Sequence, residues 1–240
     1  MELQVPARPR IATHAKMKKV VLITGVDKGI GKALTEKFLS EDFFVIGAYL
    51  SKPPFEKENF VSYQLDLSSP ESIKNCVEQI KESRQKIDIL INNAGILLDE
   101  EETELKTDKL RGTLEVNLIG TADFTEQIIP NINQDSHIIC ISSIAGSLSH
   151  VDTGKGRAPH FYPAYRISKA ALNMYGNTLA ERLRDQKITV SLVHPGWVKT
   201  NMGGEEADIS PEKAAKNIFN FAISNPETGN FWFDGEKLGW

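Results

Sequence analysis

The sequence predicts a doubly wound α/β fold, one parallel sheet covered by helices on both faces. Three observations carry that prediction. Short β-branched apolar runs alternate with amphipathic helical stretches along most of the chain. The first of those runs ends in a glycine-rich turn that opens directly into a helical pattern. The length of 240 residues, with 40% hydrophobic content, suits a single domain built around one substantial core.

Residues Met1 to Lys16 precede that pattern. They contain Pro6, Arg8, Pro9 and Arg10 and show no periodicity, so they read as a disordered extension, either an upstream start or an added segment. The segment is short and broken by prolines, which disfavours an organelle-targeting helix. The domain is assigned to residues 17–240.

Lys18-Lys19-Val20-Val21-Leu22-Ile23 reads as a buried strand. It stops at Thr24-Gly25-Val26-Asp27-Lys28-Gly29-Ile30-Gly31, after which Ala33, Leu34, Lys37, Phe38 and Leu39 follow helical spacing. Strand, glycine turn and helix in that order form a dinucleotide-binding unit. Glycines let the backbone turn tightly and approach a pyrophosphate, which sits at the positive end of the helix. The spacing is G-x-x-x-G-x-G rather than G-x-G-x-x-G, and a tight turn without ligand is the bland alternative.

Phe43 to Leu50 and Phe60 to Tyr63 read as the second and third strands. Ser68-Ser69-Pro70-Glu71 supplies a cap, a first-turn proline and a capping glutamate, and Ile73, Cys76, Val77 and Ile80 mark the buried face of the helix it opens. Ile87 to Ile91 is a buried strand ending in Asn92-Asn93-Ala94-Gly95, and Val116-Asn117 lies in a helical stretch. His137 to Ile141 is a strand ending in Ser142-Ser143-Ile144-Ala145-Gly146. A long helix carries Tyr165 and a stripe of Leu172, Tyr175, Leu179 and Leu183. Ile188 to Val193 leads into His194-Pro195-Gly196-Trp197-Val198-Lys199-Thr200. Ser210-Pro211-Glu212 starts a late helix with Ala214, Ala215, Ile218, Phe219 and Ala222 inward, and Gly229 to Phe233 reads as a final edge strand. About seven strands result, with no repeat or linker.

A net charge of −4 gives no electrostatic reason to expect nucleic acid or an anionic membrane as partner. No apolar run approaches the ~18 residues of a membrane span. Cys76 and Cys140 fall at core positions and read as inert thiols suited to a reducing cytoplasm. The five histidines, His150 and His160 among them, show no metal-ligand spacing, so no metal is expected.

Tyr165 and Lys169 stand four residues apart, just over one helical turn, so both project from one face. A phenol titrates near ~10, and bringing it to about 7 takes roughly 4 kcal/mol, which an adjacent ammonium helps supply. Taken alone the pair is weak, since Tyr-x-x-x-Lys arises by chance as surface packing. Together with the glycine turn, Asn92 to Gly95, Asn117, Ser142 to Gly146 and His194 to Thr200, in this order, it resembles the short-chain dehydrogenase/reductase family from about Lys18 onward. Tyr165 to Met174, His194 to Gly204 and Phe233-Asp234-Gly235 to Trp240 resemble most closely the sniffer-type carbonyl reductases and the C-factor signalling proteins.

The resemblance implies a Rossmann-type fold and a set of roles. Tyr165 would give a proton to a carbonyl oxygen, and Lys169 would lower its pKa and bond the nicotinamide ribose. Ser143 would hold the substrate oxygen, with Ser142 falling one position early. Asn117 would anchor a water linking Lys169 to solvent. Such chemistry needs a positioned acid, an oxygen-orienting donor and a cation, and no metal. Cofactor contacts are implied for Gly25, Lys28, Gly29, Ile30, Gly31, Asn93, Ala94, Gly95, Tyr165, Lys169, Pro195, Gly196, Val198 and Thr200.

Side chains bear on which cofactor. The end of the second strand, where an acid would hold the ribose hydroxyls of NAD, is Leu50, followed by Ser51 and Lys52. Lys28 and Lys52 would attract a 2′-phosphate, and charged hydrogen bonds of roughly 1.5–3 kcal/mol favour NADP(H) about tenfold or more. Asp66-Leu67 resembles the pair that contacts adenine.

Two features depart from the family pattern. Ser143 and Tyr165 are 22 positions apart, a longer span than usual, with Gly154, Lys155, Gly156, Arg157 and Pro159 suited to a surface loop. Only ten positions separate Thr200 from Ser210, so the lid expected there is abbreviated. Phe161, Tyr162 and Trp197 either line an aromatic pocket under the insert or pack the core. The expected activity is NADPH-dependent reduction of a ketone or aldehyde. An NADP-binding regulator of C-factor type and a 3-oxoacyl carrier-protein reductase are the alternatives. The expected partners are a small carbonyl or alcohol and a second copy of the chain, as a homodimer or homotetramer.

Overall fold

Eight strands form one sheet in the order β3-β2-β1-β4-β5-β6-β7-β8. The computed structural model describes residues 18–150 and 161–240, so the extension at residues 1–16 and the middle of the insert lie outside the described residues. β1 (Val20–Thr24) is buried at every position, as a central parallel strand covered on both faces must be. It pairs in parallel with β2 (Phe44–Tyr49), Val21 opposite Val45, and with β4 (Ile87–Asn92), Val21 opposite Ile89. β3 (Phe60–Gln64) lies outside β2. β5 (Ile132–Ile141), β6 (Thr189–Val193) and β7 (Asn230–Phe233) continue on the other side of β4.

Side chains along each strand alternate between two cores. Leu22 and Leu90 face one core with α2 (Pro70–Glu82), α4 (Thr121–Ile128) and α5 (Pro163–Leu183). Val21, Ile23, Ile89 and Ile91 face the other, with α1 (Gly29–Ser40) and α6 (Pro211–Ala222). The helical stripes read from sequence are the buried ones: Ile73, Cys76, Val77 and Ile80 on α2, and Ala214, Ala215, Ile218, Phe219 and Ala222 on α6. Each of these helices starts at a serine that accepts a backbone N–H three residues on, Ser69 from Ser72 at 3.2 Å and Ser210 from Lys213 at 3.3 Å. Glu71 sits one position short of the place from which a glutamate reaches back to close a capping box.

Three departures from the sequence reading are local. The run at Asn230–Phe233 is not the edge: β8 (Glu236–Leu238) turns back antiparallel across it, through Asp234 and Gly235, both at positive φ. The expected strand at His137 begins earlier, at Ile132, with a register shift against β4 between Ile87 and Ile89. Asn117 lies in a π-helical segment, Glu115–Gly120, that joins α3 (Thr107–Leu114) to α4.

The strand order reverses direction between β1 and β4, and the carboxyl ends of β1, β4, β5 and β6 all open to the same edge of the sheet. Sheets of this kind bind ligands in the crevice at that reversal.

Candidate active site

The turn after β1 is built around close backbone approaches. Gly25 (φ 72°) and Gly29 (φ 55°) occupy the left-handed region. A Cβ on Gly31 would lie 2.0 Å from the Gly25 carbonyl oxygen, so only glycine lets α1 start this close to β1. Gly25 N and Val26 N both donate to the Ala48 carbonyl, at 2.8 and 3.2 Å, pinning the turn to β2. Lys28, the residue at which α1 begins, offers no side-chain cap, and no acid stands in the first turn. The leading amides of α1 are therefore left for an anion, which fits a dinucleotide pyrophosphate.

β4 and the segment after β6 close around this turn. Asn93 N and Ala94 N both donate to Thr24 Oγ1 at 3.0 Å, and Asn93 Nδ2 donates to the Thr24 carbonyl at 2.9 Å. A Cβ on Gly29 would sit 3.2 Å from Thr200 Cγ2, so Thr200 faces the glycine turn, in the segment that follows Gly196 (φ 88°). Thr200 Oγ1 accepts from Gly203 N at 3.1 Å, which folds the short segment before α6 back on itself.

The Tyr165 constellation assembles at the ends of β4 and β5. Gly146 lets the turn after β5 press on α5: a Cβ there would lie 2.6 Å from the backbone carbon of Lys169. This contact brings Ser143 near Tyr165, close enough for its hydroxyl to pull the phenol's pKa down. Ser143 Oγ also accepts from Ala145 N at 3.1 Å. Ser142 is turned away and donates to Asn173 in the interior.

Burial pushes the Tyr165 phenol up to about 12, against a smaller downward pull from the Ser143 hydroxyl. It also pushes the Lys169 ammonium down to about 8. The expected lowering of Tyr165 by Lys169 is absent from this arrangement. Lys169 Nζ donates to the Ile141 carbonyl at 2.9 Å and stands 5.6 Å from the centre of the Tyr165 ring. Desolvation of both groups outweighs their mutual influence.

Asn117 meets Lys169 across Gly95: a Cβ on Gly95 would fall 3.2 Å from Asn117 Oδ1 and 3.5 Å from Lys169 Nζ. Both Asn117 amide protons are committed, to the Ile96 carbonyl at 2.9 Å and to Ser168 Oγ at 3.0 Å. Oδ1 accepts from Ile96 N at 2.8 Å, which leaves that oxygen able to accept one further hydrogen bond.

At the far end of the crevice, Lys28, Leu50, Ser51 and Lys52 are all exposed, and Ile30 is half-buried. Leu67 is buried in the core. Asp66 Oδ1 is occupied by Ser68, accepting from its amide at 2.8 Å and from its hydroxyl at 2.6 Å. Phe161 is exposed, while Tyr162 and Trp197 are half-buried.

Two carboxylates escaped the sequence reading. Asp27, inside the glycine turn, reaches the end of β2. Asp99, buried in the segment after β4, accepts from Ala164 N at 2.6 Å, its other oxygen having no hydrogen-bond partner. Tyr162, the residue before α5, gives no side-chain cap, so a residue 65 positions upstream supplies it. The sequence carries no local signal for such a contact.

With this geometry in hand, the comparisons with known proteins are unambiguous. The short chain dehydrogenase family matches residues 19–210. The 1-hydroxy-2-glutathionyl-2-methyl-3-butene dehydrogenase of Rhodococcus sp. strain AD45 is 32% identical over 232 residues, covering 92% of this chain and 99% of that protein. The chain is a short-chain dehydrogenase. Among solved structures similar to this dehydrogenase is the carbonyl reductase Sniffer of D. melanogaster, with a TM-score of 0.84 and 26% identity over 93% of this chain and all of that one. The fold is shared equally with a short-chain dehydrogenase/reductase from Burkholderia multivorans solved with bound NADP, with a TM-score of 0.84 and 24% identity over 93% and 100% of the two chains. Among the described residues of this dehydrogenase no cluster of His, Cys, Asp or Glu is arranged to hold a metal, and no helix is long and apolar enough to cross a membrane.

Proposed function

We propose that this short-chain dehydrogenase transfers hydride between NADP(H) and a small carbonyl/alcohol pair in the manner of a carbonyl reductase. The observation that carries the proposal is the packing of the Ser143 turn against α5, which sets Ser143 beside Tyr165 with Lys169 one turn further along α5. The likeness to the Sniffer reductase over the whole of its length supports the carbonyl reading. Lys28 and Lys52 support the phosphorylated cofactor.

When bound, the nicotinamide supplies or accepts the hydride. The residues of the chain do the rest. Ser143 and Tyr165 converge on one oxygen, so a substrate carbonyl seated there is polarised by two hydroxyl donors. Tyr165 delivers the proton as negative charge builds on that oxygen. A phenol held near 12 is a weak acid, but it never has to ionise ahead of the substrate. Its proton moves while the developing alkoxide, the stronger base, accepts it. Lys169, titrating near 8 and reachable through Asn117 and Gly95, is suited to resupplying the proton at neutral pH. The leading amides of α1 hold the pyrophosphate.

A panel of ketones and aldehydes, followed by the loss of NADPH absorbance, tests the proposal. Tyr165→Phe is expected to abolish turnover while leaving NADPH affinity within about twofold, and Ser143→Ala to lower turnover with cofactor binding intact. Wild-type protein that binds NADPH yet reduces nothing on the panel would remove the enzyme reading in favour of an NADP-binding regulator.

A further inference from the structure

The strand end that lacks an acid in the sequence holds one in the structure. Asp27 lies in the glycine turn, between Gly25 and Gly29, yet its carboxylate reaches the carboxyl end of β2. It accepts from Leu50 N at 3.0 Å (Oδ1) and 3.1 Å (Oδ2) and from Ser51 N at 3.4 Å (Oδ2). The turn can deliver it there because Gly25 N and Val26 N are fastened to Ala48, two residues before Leu50. The backbone beyond is held as well, since Gln64 Nε2 donates to the Leu50 carbonyl at 3.2 Å. A carboxylate is therefore present at the place where dinucleotide folds put the acid that receives the adenosine ribose hydroxyls, although it comes from a different element.

This has two electrostatic consequences. The two amides that would otherwise be open to a phosphate oxygen already donate to Asp27. A 2′-phosphate entering between Asp27, Lys28 and Lys52 meets one negative and two positive side chains, while ribose hydroxyls can donate to the carboxylate.

We propose that Asp27 is a specificity-determining residue that opposes Lys28 and Lys52. It receives the ribose hydroxyls of the unphosphorylated cofactor and tempers the preference for NADP(H), so that the chain also accepts NAD(H). This inference rests on the reading of the crevice as a nicotinamide dinucleotide site.

The test measures dissociation constants of NADPH and NADH by tryptophan fluorescence for wild type, Asp27→Asn, Asp27→Ser and Lys28→Ala. Asparagine is isosteric and still accepts from Leu50 N, so the turn is expected to keep its shape, and a thermal melt checks this. In Asp27→Asn the NADPH/NADH affinity ratio is expected to rise about tenfold, through tighter NADPH and weaker NADH, the size of one charge-assisted hydrogen bond. Asp27→Ser, which is shorter and uncharged, is expected to move the ratio the same way, and Lys28→Ala the opposite way. An unchanged ratio in both Asp27 variants, or equal losses for both cofactors, would make Asp27 a structural tie and overturn the proposal. If wild-type protein binds neither cofactor at millimolar concentration, the dinucleotide reading falls first and takes this one with it.

Discussion

Tyr165 and Lys169 show how far a residue's chemistry depends on what encloses it. Their spacing places them on one face of a helix, and that much any helix would do. Burial then drives the two groups apart on the pH scale, the phenol up to about 12 and the ammonium down to about 8. Asp99 acts on the same helix without touching the reacting atoms. It holds the first turn of α5 through Ala164, the residue before Tyr165, and is a positioning residue. Asp99→Ala is expected to cost about 1–2 kcal/mol of stability, as the loss of a helix cap does. It should also lower kcat for carbonyl reduction more than it changes KM. Asp99→Asn keeps an acceptor for Ala164 N and should restore both, measured by thermal melts and steady-state kinetics. A loss of stability with kcat untouched would reduce Asp99 to a cap alone.

At the scale of elements, α5 carries most of the site on one face and leaves another uncovered. Lys169, Ser168, Leu172 and Asn173 are buried, while Ile167 and Met174, one heptad apart, are 43% and 67% exposed. Ile119, on the π-helical segment that packs against α5, is also exposed, at 51%. Surface of this kind is suited to a second copy of the chain. Light scattering at micromolar concentration is expected to give at least a dimer. Met174→Glu, which adds a charge to the exposed side of α5, should shift it to monomer without loss of helical content. A wild-type monomer at that concentration would contradict the homo-oligomer reading.

For the whole molecule, the two-sided burial of the sheet sets its response to acid. His137 lies on β5 with both ring nitrogens engaged, by Ser191 Oγ at 2.9 Å and the Ala222 carbonyl at 3.2 Å. Burial holds its imidazole down to about 4 from an ordinary value near 6.5. The unfolded chain thus binds a proton below about 6.5 that the native protein refuses until about 4. The stability this confers is present above 6.5 and lost as pH falls through that window, roughly 3 kcal/mol at the lower end. His194, lowered to about 4 chiefly by burial, acts in the same direction. Denaturant unfolding from pH 7 to pH 4 should show this loss. His137→Gln, which cannot be protonated, should flatten part of the slope; an unchanged slope would assign the acid sensitivity to other groups.

The sequence by itself determined what short-range physics controls. Strand and helix identity followed from apolar periodicity, helix starts from Ser69 and Ser210, and the glycine turn from the spacing of Gly25, Gly29 and Gly31 between a strand and a helix. The preference for Ser143 over Ser142 came from the family resemblance, in which Ser142 falls one position early; that Ser142 turns inward to Asn173 is visible only in the structure. Tertiary structure decided whatever depends on contacts between distant segments. The eighth strand was missed because Glu236–Leu238 is short and polar and becomes a strand only by pairing with β7. Asn117 was placed in a helix, but its π-helical setting and its bonds to Ile96 and Ser168 come from how α3, α4 and α5 pack. Asp99 and Asp27 look like loop acids in the sequence, and their partners lie 65 and 23 positions away. The pKa values of Tyr165 and Lys169 likewise follow from desolvation, which exists only once the sheet and α5 have closed around them.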